Sequence, residues 1–241
     1  MFEKEIKEYI ESNGFGAFCP KAALFDMDGV LYNSMPNQVR AWLPTMQKHG
    51  IAMTENDVYR FEGMRGVETI KMLAYQQWDR HISDEEAENI YAEKSHLFAT
   101  FPKAVKIRGV EELMRKMKAD GLMIVVVTGS GQQSLLDKLE DDFGGLIHGH
   151  LVVSSFDVTR GKPNPEPYLR GLQKAGVQPW EAIVVENAPL GVRAGVAANI
   201  FTVAVNSGPL PNSVLAKEGA NLVFSKMTEL CDAWNDFHRL P

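Results

Sequence analysis

Apolar and polar positions fall into three regimes along the chain. Residues 3–11 place Ile6, Tyr9 and Ile10 at helical spacing among Glu and Lys, which predicts a short amphipathic helix stopped at Asn13-Gly14. A compact apolar run, Ala22-Ala-Leu-Phe25, then leads into Asp26-Met-Asp28-Gly29. It is too short for a helix and reads as a buried strand delivering two carboxylates to its own carboxyl end. From about Pro36 to Pro102 the chain turns rich in Gln, Glu, Met and aromatic residues, with helical periodicity and no convincing strand. Trp42, Leu43 and Met46 share one face, Ile70, Leu73 and Ala74 a second, and Ile90, Lys94, Leu97 and Phe98 a third.

Beyond Lys106 the pattern alternates. A helix face of Val110, Leu113, Met114 and Met117 ends near Asp120-Gly121, and Leu122-Met-Ile-Val-Val-Val127 reads as a strand buried on both faces. A helix with Leu135, Leu136 and Leu139 is expected next, then a strand at Leu151-Val-Val-Ser-Ser155 and a helix over 168–175. The strand Ala182-Ile-Val-Val185, a Gly/Ala-rich helix over 190–198, and strands at 201–205 and 222–224 follow, before a last helix carrying Leu230, Trp234 and Phe237. Such alternation predicts an α/β fold: an open parallel sheet with helices on both faces. The expected division is an N-terminal helical extension over 1–20, a core from 21–34 and 104–241, and an inserted helical domain over 35–103.

Composition narrows the class. With 45% hydrophobic residues the chain has an ordinary packed core, and with 31 acidic against 25 basic residues it carries a net charge of −6. No Lys/Arg-rich run suggests nucleic-acid binding, and no apolar run approaches the ~18 residues of a membrane span. Two cysteines, Cys19 and Cys231, form no CxxC, and the first residues lack the apolar core of a signal peptide, so the expected setting is the reducing cytoplasm. Nothing in the pattern calls for an obligate protein partner.

In open α/β sheets, ligands bind beyond the carboxyl ends of the strands. Strand one ends in Asp26 and Asp28, the strand to Val127 in Thr128-Gly129-Ser130, and the strand to Val185 in Glu186-Asn187; the loop after Leu151–Ser155 brings Lys162. Two acids so close need a cation, a shared proton, or both. The set suits a phosphoryl group with a divalent cation: oxygen ligands for a hard metal and donors for phosphate oxygens. Asp26 is the expected nucleophile and Asp28 the general acid and base. Thr128 is expected to open a helix whose free N–H groups receive phosphate oxygens, and Lys162 to offset the developing charge. Glu186, Asn187, Asp26 and the Asp28 carbonyl would hold Mg²⁺. His148-Gly-His150 has no third ligand nearby and is expected as two loop histidines. Trp42 is expected on an interior helix of the insertion rather than stacked on a substrate.

These four segments, Asp26-Met-Asp28-Gly-Val-Leu, Val127-Thr128-Gly-Ser, Gly161-Lys162-Pro-Asn-Pro-Glu-Pro-Tyr and Val185-Glu186-Asn187-Ala-Pro-Leu-Gly-Val-Arg-Ala-Gly195, resemble the ordered motifs of the haloacid dehalogenase-like superfamily. The inserted helices resemble the cap domain of its β-phosphoglucomutase-like subfamily. The resemblance implies a Rossmann-like core, Mg²⁺, and phosphotransfer through the first Asp. Carbon–halogen cleavage is disfavoured because dehalogenases typically lack the second Asp.

Three departures bear on substrate. The fourth motif reads Glu186-Asn187 where Glu-Asp is common. Gln38 stands where β-phosphoglucomutases carry a His. The cap loop Phe61-Glu62-Gly63-Met64-Arg65-Gly66 has an acid where those enzymes have Lys, and an Arg one register early. An acid over the site repels a second free phosphate, which lowers the mutase reading. Gly129, Ser130, Glu62 and Arg65 are the expected substrate contacts. The expectation is a Mg²⁺-dependent phosphohydrolase of a small phosphorylated metabolite or pyrophosphate. A β-phosphoglucomutase is the alternative, and a non-catalytic phospho-ligand-binding member is the reading from another class.

Overall fold

The structure, a computed structural model, describes residues 2–131 and 139–238. Leu135 and Leu136 lie outside the described residues, as does the side chain of Phe237. Six parallel strands form one sheet in the order β3-β2-β1-β4-β5-β6: β1 Ala22–Phe25, β2 Met123–Val127, β3 Val152–Val153, β4 Ala182–Glu186, β5 Phe201–Val205 and β6 Leu222–Phe224. The chain winds outward from β1 in one direction, then returns to place β4 on its other side. This reversal opens a crevice at the carboxyl ends of β1 and β4. There Phe25 pairs with Val126 and Val185, and the Asp26 amide still donates to Val185 O at 3.0 Å, so the first carboxylate is fixed by sheet hydrogen bonds.

Successive strand residues point to opposite faces, and the core divides accordingly. Ala23, Phe25, Ile124, Val126, Ile183 and Val185 pack with α6 (Val110–Ala119) and α11 (Met227–His238). Ala22, Leu24, Val125, Val127 and Val184 pack with Tyr168 and Leu172 of α8 (Glu166–Ala175) and Ala194 of α9 (Pro189–Ala197). The first helix, α1 (Glu3–Asn13), ends on Gly14 at φ 68° and joins the former face. Its Tyr9 donates to Asn199 O at 2.8 Å and sets its ring edge-on to Phe201.

The insertion has four helices with their own apolar core: α2 (Met35–Lys48), α3 (Glu55–Arg60), α4 (Gly66–Trp78) and α5 (Asp84–Ala99). Helix α3 was not expected. It has six residues and a single buried apolar side chain, Val58, too few to register as a periodic face; the reciprocal Thr54–Asp57 cap starts it instead. The two connections to the core run side by side, with Asn33 N–H donating to Val105 O and Ile107 N–H to Leu31 O.

The strand expected over 151–155 is shorter. Leu151 closes a 3₁₀ turn, Gly149–Leu151, and Ser154 leaves the sheet because its N–H and Oγ both donate to Asp157 Oδ2, at 2.8 and 3.1 Å. A short helix, α7 (Leu139–Asp142), keeps Leu139 buried. The remaining described α-helix is α10 (Asn212–Lys217), and a 3₁₀ turn, Pro179–Glu181, leads into β4.

Candidate active site

Asp26 leaves the end of β1 almost fully buried. Lys162, 1% exposed, reaches it from the loop before α8 and donates to Asp26 Oδ1 at 2.5 Å, Glu186 Oε1 at 2.7 Å and Val127 O at 3.0 Å. One ammonium thereby ties together the ends of β1, β2 and β4. Burial works against this charge, yet the carboxylates of Asp26 and Glu186 outweigh it and hold the ammonium above the ordinary lysine range. Burial pushes the Asp26 carboxyl up, to about 8, against the pull of Lys162 and with the added repulsion of Glu186 and Asp28. The rim gathers three carboxylates, Asp26, Asp28 and Glu186, around the ammonium of Lys162.

Glu186 was expected to bind metal, but its oxygens are already engaged. Oε1 accepts from Lys162 and from Tyr168 Oη at 3.0 Å; Oε2 accepts from the N–H groups of Asn187 and Ala188 at 2.7 and 2.9 Å. Four donors fill the roughly four lone-pair sites of a carboxylate, so Glu186 anchors Lys162 and the start of α9. Among the described residues no three His, Cys, Asp or Glu side chains gather as a metal cluster. At the site, two of the buried oxygens without a partner are Asp26 Oδ2 and Asn187 Oδ1. Both are acceptors, and the Asn187 amide lies against the Asp28-Gly29 turn, where a Cβ on Gly29 would fall 2.2 Å from Asn187 Nδ2. Orphaned oxygens in a site of excess negative charge fit a hard divalent cation held by a mixed set of carboxylate, amide and carbonyl oxygens.

Asp28, 4% exposed, is held differently. Ser34 Oγ and Gln38 Nε2 donate to its Oδ1 at 2.5 and 3.1 Å, and Lys94 Nζ donates to Gln38 Oε1 at 2.5 Å. Lys94 is 3% exposed, with the rings of Trp42 and Phe98 each 5.0 Å from its ammonium. Burial lowers this lysine to about 8, opposed by the charges of Asp28 and Glu62. Ser34, Lys94 and Tyr168 are the residues that strand-end reasoning missed. A lysine on an otherwise apolar helical face, as Lys94 is on α5, was the available signal.

Between rim and insertion lies a chamber of about 30 Å³, lined by Asp28, Gln38, Trp42, Glu62, Lys94, Gly129 and Ser130 among others. Trp42 is thus interior, as expected, and also a chamber wall. Burial and the charges of Asp28 and Asp26 raise the Glu62 carboxyl well above the carboxylate range, with Lys94 opposing. Thr128 is buried at the end of β2, its Oγ1 accepting from Ser130 N–H at 3.0 Å; the helix expected beyond it falls mainly outside the described residues. Arg65 does not line the chamber: its Nη1 donates to Thr159 O at 2.8 Å on the core loop. His148 and His150 stack on one another, with His148 Nδ1 3.6 Å from Glu140.

Residues 23–205 match the family model for haloacid dehalogenase-like hydrolases, and the chain belongs to that family of enzymes. Hexitol phosphatase A of Escherichia coli is 34% identical over 188 residues, covering 78% of this chain and 83% of that protein. "Putative pyrophosphatase PpaX" of Caldanaerobacter subterraneus is 26% identical over 87% of this chain and 92% of that protein. A solved structure, "Putative beta-phosphoglucomutase from Bacteroides vulgatus", superimposes with a TM-score of 0.94 at 45% identity, over 97% of this chain and 95% of that one. These similarities make the protein an enzyme of the haloacid dehalogenase-like hydrolase family with a β-phosphoglucomutase-like architecture, and its phosphatase relatives support action on small phosphorylated metabolites. Among the described residues no helix is long and apolar enough to cross a membrane.

Proposed function

We propose that the protein hydrolyses a small, highly charged phosphate compound, inorganic pyrophosphate foremost, with Mg²⁺ and through a phosphoryl group carried on Asp26. The observation that carries the choice of substrate is Glu62: an acid from the insertion shares a small chamber with Asp28 beside the nucleophile. Raised by burial and by those carboxylates, this acid ionises at lower cost when cations enter with the substrate, so the arrangement suits a compact phosphate compound that brings its own. The pyrophosphatase name of one relative points the same way.

Asp26 attacks phosphorus, and the bond to the leaving oxygen breaks as that oxygen takes the proton of Asp28. Ser34 and Gln38 occupy Asp28 Oδ1, which leaves Oδ2 to carry the proton. In the second step water attacks the phosphorus of the acyl phosphate, Asp28 takes the water proton, and Asp26 departs as a carboxylate. Lys162 offsets the charge of Asp26 and of the phosphoryl oxygens throughout, and the Gly129 and Ser130 segment contacts the substrate. Asp26, Asn187 and the Asp28 carbonyl would hold Mg²⁺, with Glu186 behind them fixing Lys162 and the Asn187 backbone. When bound, the ion supplies positive charge for the transferring phosphoryl group. A cytoplasmic setting belongs to the same reading, since Cys19 and Cys231 are both free thiols.

The test is steady-state turnover with Mg²⁺ on pyrophosphate, hexose 6-phosphates, small phosphomonoesters, and β-glucose 1-phosphate with its bisphosphate. Phosphate release greatest from pyrophosphate is the expected result. The name of the Bacteroides vulgatus structure favours a second reading, a mutase. Glucose 6-phosphate formed without net phosphate release would replace the hydrolase with it.

A further inference from the structure

The loop between α3 and α4 meets the core through backbone. A Cβ on Gly63 would fall 2.8 Å from Lys162 Cδ, and one on Gly129 would fall 2.7 Å from the Gly63 carbonyl oxygen. A Cβ on Gly161 would lie 2.7 Å from Arg65 Cγ and 2.9 Å from Arg65 N. Side chains are missing on both sides of this contact, so the loop seats closer than any other residue would allow. On the opposite flank Gly208 does the same for Tyr59, where a Cβ would fall 2.9 Å from the ring.

Polar groups close over the first seat. Arg65 Nη1 donates to Thr159 O at 2.8 Å, and the Glu68 carboxylate lies against the Gly161 backbone, where a Cβ would fall 3.2 Å from Glu68 Oε2. The gripped loop is itself tied down, because Thr159 and Arg160 N–H both donate to Glu166 at the first turn of α8. The Arg65–Glu68 ion pair is 3.9 Å long with both side chains more than a third exposed, so it contributes little. The Arg65 bond to the core backbone holds the contact and is worth a factor of about five in equilibrium.

We propose that Arg65 and Glu68 are positioning residues: a clasp from the insertion onto core loop 159–161 that fixes where Glu62 stands over Asp26 and Asp28. The place given to Glu62 rests on the function proposed above; the clasp itself does not. Opening it releases the loop that carries Glu62 and widens the chamber for entry. Gripping it returns the acid to one position.

Hydrogen exchange by mass spectrometry on the ligand-free protein reads the clasp, and kinetics on pyrophosphate read the positioning. In Arg65→Ala and in Glu68→Ala the amides of the 61–66 loop that the clasp seats are expected to exchange roughly five- to tenfold faster. The value of kcat/KM is expected to fall about tenfold in each, with Arg65→Lys close to wild type in both measurements. Unchanged exchange in both alanine variants overturns the clasp. Faster exchange with unaltered kinetics overturns the positioning role. A raised KM in Arg65→Ala alone, with Glu68→Ala silent in both measurements, overturns the proposal in favour of direct substrate binding by Arg65. Faster exchange in a protein that hydrolyses none of the phosphate compounds supports the clasp and removes the proposed function instead.

Discussion

The rim of the sheet and the underside of the insertion face one chamber and are built by opposite rules. On the rim, charge meets charge: Lys162 is bonded to both Asp26 and Glu186, and Glu186 is saturated by four donors. On the insertion, charge meets neutral partners: Lys94 bonds the amide of Gln38 and lies among aromatic rings, and Glu62 sits partly buried in the same wall. The rim is preassembled for chemistry that every phosphoryl substrate shares. The insertion keeps charges that a ligand can still answer, and on the proposed function choice of substrate resides there.

The largest effect tests the rim. Asp26→Asn is expected to lose roughly 10⁴-fold or more in phosphate release, as removal of a covalent nucleophile does, while thermal unfolding stays cooperative. A residual rate within tenfold of wild type would take the chemistry off Asp26. A smaller effect is expected where the two regions join. Ser34→Ala combined with Gln38→Leu removes both donors to Asp28 and is expected to lower kcat by about ten- to a hundredfold, with KM moving less. An equal loss in KM alone would make these residues substrate contacts.

The smallest effect concerns stability and sharpens the contrast in how charge is housed. Lys94 is depressed to about 8 in the folded protein against an ordinary lysine value of 10.5, under burial and facing Asp28, Glu62 and the Tyr91 ring. Between these values the unfolded chain binds the extra proton, so unfolding free energy rises with pH across that window and the penalty is fully present below pH 8. Lys94→Met lacks the term. The stability difference, variant minus wild type, is expected to shrink as pH rises from 8 to 10.5, read by denaturant unfolding. A flat difference would show that Lys94 is charged at no cost.

The same contrast explains what could be read from sequence. Strand ends in a parallel sheet are one-dimensional signals: an apolar run stops and the next residue lies on the rim, so Asp26, Thr128 and Glu186-Asn187 were legible. Lys162 required only the loop that follows a strand. Which oxygens of Glu186 stay free was not legible, because Tyr168 and two backbone amides decide it from elsewhere. The insertion resisted because helix faces do not say which neighbour they meet. Gln38 and Lys94 are 56 residues apart yet bonded, and Arg65, expected on substrate, turns to a carbonyl 94 residues away.

The most direct measurement is the ratio of kcat/KM for pyrophosphate to that for glucose 6-phosphate, with Mg²⁺, in wild type and in Glu62→Gln. If the rim does the chemistry and the insertion chooses the substrate, wild type favours pyrophosphate and the variant's ratio falls about tenfold or more, with hexose phosphate turnover nearly kept. An unchanged ratio, or an equal loss on both substrates, would contradict that division.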